Sequence, residues 1–305
     1  MILTGGQVVE SEDFKLIINA IESGKCLAFL GAGACTPFQD NKGEEIPGLP
    51  TGGQLAETLA KKCRYSNGNA YDLLKVSEYF MYAYGGDRET LAKAVREEIQ
   101  KSCKPRPIHT VLAQLKQVKI IITSNYDNLM EEELRKYGRK LTRDVYSRQN
   151  SRTAHFNHSP ILEEDEVVMH KMHGTIEEPE SIVITESDYI SYLANLYDKD
   201  RGMPEYFRKT WIPFCTLLFL GYGLADWNFR VIWEGVLAGY AQQALRKEAY
   251  ALVMGSTHFQ RKYWARKNVD VFDQDLTEFA VQLAEHFKLE IPQLGIEKQP
   301  EGGNP

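Results

Sequence analysis

Four short segments carry small, amide, carboxylate and imidazole residues in a pattern suited to holding phosphates and hydroxyls and activating a water. The first is Gly31-Ala32-Gly33-Ala34-Cys35. Small residues at a strand-to-helix turn let backbone N–H groups come close to a pyrophosphate. The third glycine of the dinucleotide fingerprint is missing, so a simple tight turn is the competing reading. The second is Thr123-Ser124-Asn125-Tyr126-Asp127. Asn125 offers a donor and acceptors and Asp127 offers acceptors, enough to fix ribose hydroxyls and a water. Either residue could instead cap a helix starting near Leu129. The third is His173-Gly174, whose neutral imidazole could act as a general base near neutral pH or serve only as a structural histidine. The fourth is Gly221-Tyr222-Gly223-Leu224-Ala225-Asp226-Trp227. Its glycines allow close approach to a ribose or adenine, and Asp226 could accept from a hydroxyl or cap the following helix.

All four segments follow apolar runs that read as strands. Strands are predicted at Cys26–Leu30, Val118–Thr123, Val167–Met172, Thr216–Gly221, Ala249–Met254 and Val269–Phe272. They are apolar almost throughout, as strands covered on both faces are. Helical spacing is clear in Phe14–Glu22 and Leu276–Phe287. The predicted fold class is α/β, a Rossmann-like doubly wound parallel sheet, in which polar turns at strand carboxyl ends line the ligand crevice. Residues 51–101 and 187–210 exceed the minimal alternation and are expected to be helical insertions forming a small lobe beside the sheet. One domain is expected over 1–294, with a disordered tail over 295–305, where Gly, Pro and charge combine.

Composition narrows the function classes. The formal net charge is −6, against strong binding to nucleic acid. The basic cluster Arg135, Lys136, Arg139, Lys140 and Arg143 reads as the solvated end of a helix. The first residues do not form a signal peptide, and no apolar run nears the roughly 20 residues that span a bilayer. Five scattered cysteines without a C-x-x-C pair suit reduced thiols, so the cytoplasm is the expected compartment. His155-x-x-His158 and His170-x-x-His173 mimic metal-ligand spacing. His155 and His158 fall in a polar loop, and residues three apart on a strand end point to opposite faces, so no metal is expected.

The order Gly31-Ala32-Gly33-Ala34, Thr123-x-Asn125-x-Asp127, His173-Gly174 resembles the signature of the sirtuin superfamily, over roughly Cys26 to Met254. Gly221-Tyr222-Gly223-Leu224-x-Asp226, with Ile184-Thr185-Glu186-Ser187-Asp188-Tyr189 upstream, resembles the bacterial sirtuin-like branch of anti-phage defence systems. The resemblance implies an NAD⁺ site in which Gly31, Ala32 and Gly33 hold the pyrophosphate. It implies that Asn125 orients the nicotinamide ribose and a water, that Asp127 positions ribose or nicotinamide, and that His173 is the general base. Cys35 and Thr36, Thr123 and Ser124 are further candidate contacts. So are Gly221, Tyr222, Gly223 and Asp226. Deacylating sirtuins carry a zinc held by two C-x-x-C pairs, absent here, and Cys35 stands where the glycine-rich segment usually has Ser. The implied activity is therefore NAD⁺ hydrolysis to nicotinamide and ADP-ribose as an abortive-infection effector. A deacylase, an ADP-ribosyltransferase or a non-catalytic NAD-sensing subunit is the alternative. With nearly all of the sequence used by the catalytic domain, control is expected from homo-oligomer assembly or a partner, by resemblance a HerA-type hexameric ATPase.

Overall fold

Cys26–Leu30 (β1) is buried at every position because both faces of the strand are covered. In this computed structural model, which describes residues 11–100, 103–148, 162–196, 198, 202–223, 230, 233–234 and 249–298, β1 is the centre of a seven-stranded sheet. The hairpin Phe38–Gln39 (β2) and Glu45–Ile46 (β3) forms a separate antiparallel pair. Within the sheet, β1 pairs in parallel with Ile120–Thr123 (β4) on one side and Thr216–Leu220 (β7) on the other. Lys140–Val145 (β5) and Glu166–Lys171 (β6) extend the first side, Ala249–Leu252 (β8) and Val269–Phe272 (β9) the second. The order is β5-β6-β4-β1-β7-β8-β9, parallel throughout. This is the expected Rossmann-like doubly wound α/β architecture. Strand order turns back beside β1, which places a crevice at the carboxyl ends of β1, β4 and β7.

Two apolar layers explain the missing alternation. Cys26, Ala28 and Leu30 join a core with Ile17 and Ile21 of α1 (Ser11–Glu22), Val111 of α5 (Pro107–Gln114), Leu134 of α6 (Leu129–Lys136) and Phe279 of the helix Leu276–Phe287. Leu27 and Phe29 join a second core with Phe207, Phe219, Trp233 and Trp264. Phe29 stacks on Phe219 with ring centroids 4.6 Å apart.

The helical insertion after β3 forms three helices, α2 (Gly52–Cys63), α3 (Leu73–Tyr82) and α4 (Arg88–Ile99), each started by a capping side chain. Thr51 and Gln54 form a reciprocal box, Asp72 accepts from Lys75 N, and Asp87 accepts from Thr90 N. Their shared core, with Leu59, Phe80 and Val95, also takes in Ile176, Ile182 and Ile184 from the segment after β6. That contact sets the lobe beside the carboxyl edge of the sheet. The second insertion contains α7 (Glu186–Asn195).

Three readings change. β5 is an edge strand whose polar sequence and alternating exposure hide it among loop-like residues. The basic cluster is not one solvated helix end. Arg135 and Lys136 do close α6, but Lys140 and Arg143 lie on β5, and Arg139 is buried. Its guanidinium donates to the carbonyls of Leu115 (3.0 Å), Val118 (2.8 Å) and Asp165 (3.2 Å), adding a second donor to Leu115 O and Asp165 O, which already accept from Val118 N and Lys140 N. Ile296, assigned to a tail, instead pairs with Ile291 and packs on the core; residues 299–305 lie outside the described residues.

Replacing Arg139 by Met is expected to leave the Val118 carbonyl without its donor and lower unfolding free energy by about 1–3 kcal/mol. Urea unfolding checks this, and Arg139→Lys is expected to recover only part, because an ammonium lacks the planar fork.

Candidate functional site

The loops after β1 and β7 meet backbone to backbone. Gly31 N donates to Leu220 O (2.9 Å) and Gly33 N to Gly221 O (2.8 Å). A Cβ on Gly31 would stand 2.7 Å from the Gly221 carbonyl oxygen, and one on Gly221 would stand 2.2 Å from Ala34 N. Gly221 also has φ +77°, a conformation that disfavours any side chain. The glycines thus serve the contact between loops before they serve any ligand. Two of the three N–H groups expected to hold a pyrophosphate are already engaged, and Ala32 remains as a lining residue. No long helix follows the glycine turn; Ala32–Cys35 makes a single tight turn.

The Leu30 carbonyl gathers the neighbouring loops. It accepts from Ser124 N (3.2 Å), Thr123 Oγ1 (3.0 Å) and Tyr222 Oη (3.0 Å). Thr123 Oγ1 also accepts from Asn125 N at 3.0 Å, turning the chain so that Asn125 enters the cleft. The Asn125 amide nitrogen donates to Gly31 O (3.1 Å) and to Cys35 Sγ (3.3 Å). With both neighbours acting as acceptors, the amide orientation is fixed, and Oδ1 is left to accept from a hydroxyl or water.

Cys35 links Asn125 to Asp127. Burial first, then the Asp127 carboxylate, pushes its thiol well above the ordinary range, so it stays protonated and donates to Asp127 Oδ2 at 3.4 Å. On its other side Cys35 lies 3.8 Å from Nε2 of His109, whose Nδ1 accepts from Arg106 N (3.1 Å). That bond makes Nε2 the protonated nitrogen of neutral His109, and burial lowers this imidazole's pKa. Asp127 Oδ1 accepts from Leu129 N at 3.0 Å, so it caps α6 while also lining the cleft. Behind this loop the buried Lys171 ammonium donates to the Asp127 carbonyl and pairs with Glu131 at 2.9 Å.

His173 follows β6 on a turn that only glycine can complete. Gly174 has φ +80°, and a Cβ there would lie 2.2 Å from Ser181 O. The imidazole lines the same cleft as Asn125 and Asp127. Its Nδ1 is 3.4 Å from Tyr189 Oη, while its Nε2 has no protein partner among the described residues. Burial, reinforced by His170, lowers its pKa from 6.5 to about 3. The ring is therefore neutral across physiological pH.

The cleft brings together Ala32, Cys35, Ser124, Asn125, Asp127, His173, Gly221 and Tyr222, with Gly33 and Gly223 along its extension. Thr36 and Thr123 do not line it. Thr36 Oγ1 donates to Gly33 O (3.0 Å) and accepts from Arg106 Nη1 (2.8 Å), so both threonines hold loops rather than ligand. Asp226 lies outside the described residues. The lobe contributes Gly52 and Leu73, the segment before it Leu49 and the loop after β4 Tyr126, none of them named as site residues from the sequence. Gly52 had a sequence signal in the helix start Thr51-x-x-Gln54, and Tyr126 in its place between Asn125 and Asp127. Arg106 was also missed. Buried, it ties Gly33 O to Asp275 and Thr277 at the start of the last helix.

The histidine pairs read differently here. His170 and His173 face the same layer, His170 against Phe207 and His173 against Tyr192, because His173 lies beyond the end of β6. His170 Nδ1 is held at 2.6 Å by Asp144. His155 and His158 lie outside the described residues. Among the described residues no three His, Cys, Asp or Glu side chains converge as metal ligands, and no helix is long and apolar enough to cross a membrane.

A crevice at the turning point of a parallel sheet, lined by a glycine turn, a fixed carboxamide and a neutral imidazole, defines a Rossmann-like ligand-binding α/β domain. Residues 119–272, half of the chain, match the SIR2-like domain family, and the chain belongs to it. It is similar to the NAD(+) hydrolase ThsA of Enterococcus faecium, 24% identical over 220 residues, covering 72% of this chain and 41% of that protein. The ThsA of Bacillus cereus is 23% identical over 235 residues, covering 75% and 46%. Defense-associated sirtuin 2 of Bacillus subtilis is 26% identical over 238 residues, covering 72% and 20%. The chain thus spans less than half the length of these curated relatives. Among solved structures, a Sir2–p53 peptide–NAD⁺ complex aligns over 90% of this chain and 98% of that one, at 13% identity and a TM-score of 0.45.

The lowered pKa of His173 makes stability pH-dependent. Below the unfolded value of 6.5 the unfolded chain takes up a proton that the folded site refuses down to about 3. Folding is therefore expected to weaken as pH falls through that window, by up to about 1.4 kcal/mol per pH unit for this group. Urea unfolding of wild type and His173→Gln between pH 7 and 4 checks it, the variant showing the shallower slope.

Proposed function

We propose that this chain is an NAD⁺ glycohydrolase that cleaves the nicotinamide–ribose bond, releasing nicotinamide and ADP-ribose, in anti-phage defence by depletion of NAD⁺. The observation that carries the reading is that Asn125, Asp127 and His173 line one cleft, with the Asn125 amide fixed and the imidazole neutral. The activity named for the ThsA relatives supports it.

The chemistry fits that site. Nicotinamide leaves NAD⁺ as a neutral molecule from a cationic ring, so its departure needs no strong acid. The ribose C1′ becomes oxocarbenium-like, and the carboxamide and carboxylate dipoles around Asn125 and Asp127 stabilise that charge. A water held by Asn125 Oδ1 attacks C1′, and its proton passes to His173 Nε2. Ala32 and the loop after β7 border the phosphate and ribose portion.

An enzyme that consumes NAD⁺ needs restraint, so the proposal includes control by self-assembly in the cytoplasm or by a HerA-type ATPase. Light scattering of the chain alone and with such an ATPase tests it. A monomer that never joins the ATPase removes this part.

Chromatography of products from wild-type protein and NAD⁺ is expected to show equimolar nicotinamide and ADP-ribose. Asn125→Ala and His173→Ala are each expected to cut turnover by about 10²-fold or more. Unchanged turnover in either variant removes that residue from the mechanism.

A further inference from the structure

The segment Ile184–Tyr189 has no part in the mechanism above, yet it packs directly behind the proposed base. Thr185 and Asp188 form a reciprocal capping box that starts α7. Asp188 Oδ2 also accepts from Ile184 N at 3.1 Å, and Oδ1 is held by the guanidinium groups of Arg88 and Arg148. Burial raises the Asp188 pKa, but the Arg88 contact and the backbone N–H groups outweigh it, so the carboxyl sits below its usual range. The first turn of α7 is thus fixed to the lobe through Arg88 of α4 and to the segment after β5 through Arg148.

This anchoring sets two tyrosines, three residues apart on one face of α7, against the His173 ring. Tyr189 meets it edge-on with centroids 5.1 Å apart and Tyr192 at 5.4 Å. Both tyrosines are buried, so the imidazole has little freedom to rotate. Among the described residues, the ring's side-chain hydrogen bond is between Nδ1 and Tyr189 Oη, at 3.4 Å. A phenol oxygen can accept as well as donate. If Tyr189 donated to Nδ1, the proton of the neutral ring would sit on Nε2, which could then take none from water. If Tyr189 accepts, Nδ1 carries the proton and Nε2 presents its lone pair.

We propose that Tyr189 is a positioning residue that accepts from Nδ1–H of His173 and so keeps the basic lone pair on Nε2, with the Asp188-anchored turn of α7 holding the phenol in place. This inference rests on His173 being the base of the proposed hydrolysis. When the water attacks, its proton bonds to Nε2 and the imidazolium keeps Nδ1–H on the Tyr189 oxygen. The phenol therefore supports the ring before and after proton transfer without itself gaining or losing a proton. A buried orienting partner of this kind acts by selecting the tautomer, not by touching substrate.

The test uses ¹⁵N-histidine-labelled full chain, with the His173 signals assigned by their loss in His173→Gln. Wild type is expected to show a neutral His173 protonated on Nδ1. Tyr189→Phe, which removes only the hydroxyl, is expected to shift the ring toward the Nε2–H form. Its kcat for nicotinamide release is expected to fall about 10–100-fold, with KM within about twofold. A wild-type ring protonated on Nε2, or a Tyr189→Phe protein with unchanged tautomer and kcat, overturns the proposal. A tautomer that shifts as expected in a protein that releases no nicotinamide leaves Tyr189 as the orienting group and removes the hydrolase reading instead.

Discussion

The contact between Gly33 N–H and the Gly221 carbonyl, at 2.8 Å, sets the geometry on which the cleft depends. The loops leaving β1 and β7 come so close that neither has room for a Cβ on the facing side. Their approach continues the parallel pairing of β1 with β7 one step past the end of the sheet, and it lets Tyr222 reach back to the Leu30 carbonyl. The same carbonyl receives the loop after β4 through Ser124 and Thr123. Three loops are thereby registered against one oxygen, and the positions of Asn125 and Tyr222 follow from it. Arg106 secures the outer side of the glycine turn by bonding Gly33 O and Thr36, so the turn is braced on both sides.

Within that frame the polar groups are held mainly by one another. Asn125, Cys35, Asp127 and His109 form a chain in which each donor has a specific acceptor. A buried polar group is costly when unpaired and rigid when paired. The thiol at position 35 suits this place. Raised in pKa by burial and by Asp127, it remains a donor toward the carboxylate and a soft acceptor for the Asn125 amide. Cys35 therefore shapes the cleft through its neighbours, even though its side chain also forms part of the wall. The departure from Ser at this position does not empty the site of its hydrogen bonds.

Much of this was legible in the sequence because strands covered on both faces leave unbroken apolar runs, and β1 and β9 have the predicted bounds. The polar turns after them were legible for the same reason: they interrupt such runs. Edge strand β5 was not, since Lys140 to Val145 is polar and half solvated and mimics a loop. Arg139 misled for a related reason. A guanidinium collecting carbonyls from three segments has the same local sequence as one in water, and only tertiary contacts separate the two. The division of labour among the site residues was likewise hidden. Thr123 and Thr36 look like ligand contacts by position, but the backbone groups they satisfy are distant in sequence or set by the turn. Tyr189 comes 16 residues after His173, and its contact exists only because α7 folds back across the end of β6.

The weak basicity of His173 bears directly on the proposed reaction. An imidazole with a pKa of about 3 is a poor base toward free water. Water adding to an oxocarbenium-like C1′ becomes strongly acidic as the new bond forms, so its proton needs only a nearby lone pair, not a strong base. What the burial supplies is an imidazole that is never lost to protonation at physiological pH. In the proposed reaction, burial that looks unfavourable for a base in the free protein thus suits a site that stays neutral at physiological pH and whose leaving group is already cationic.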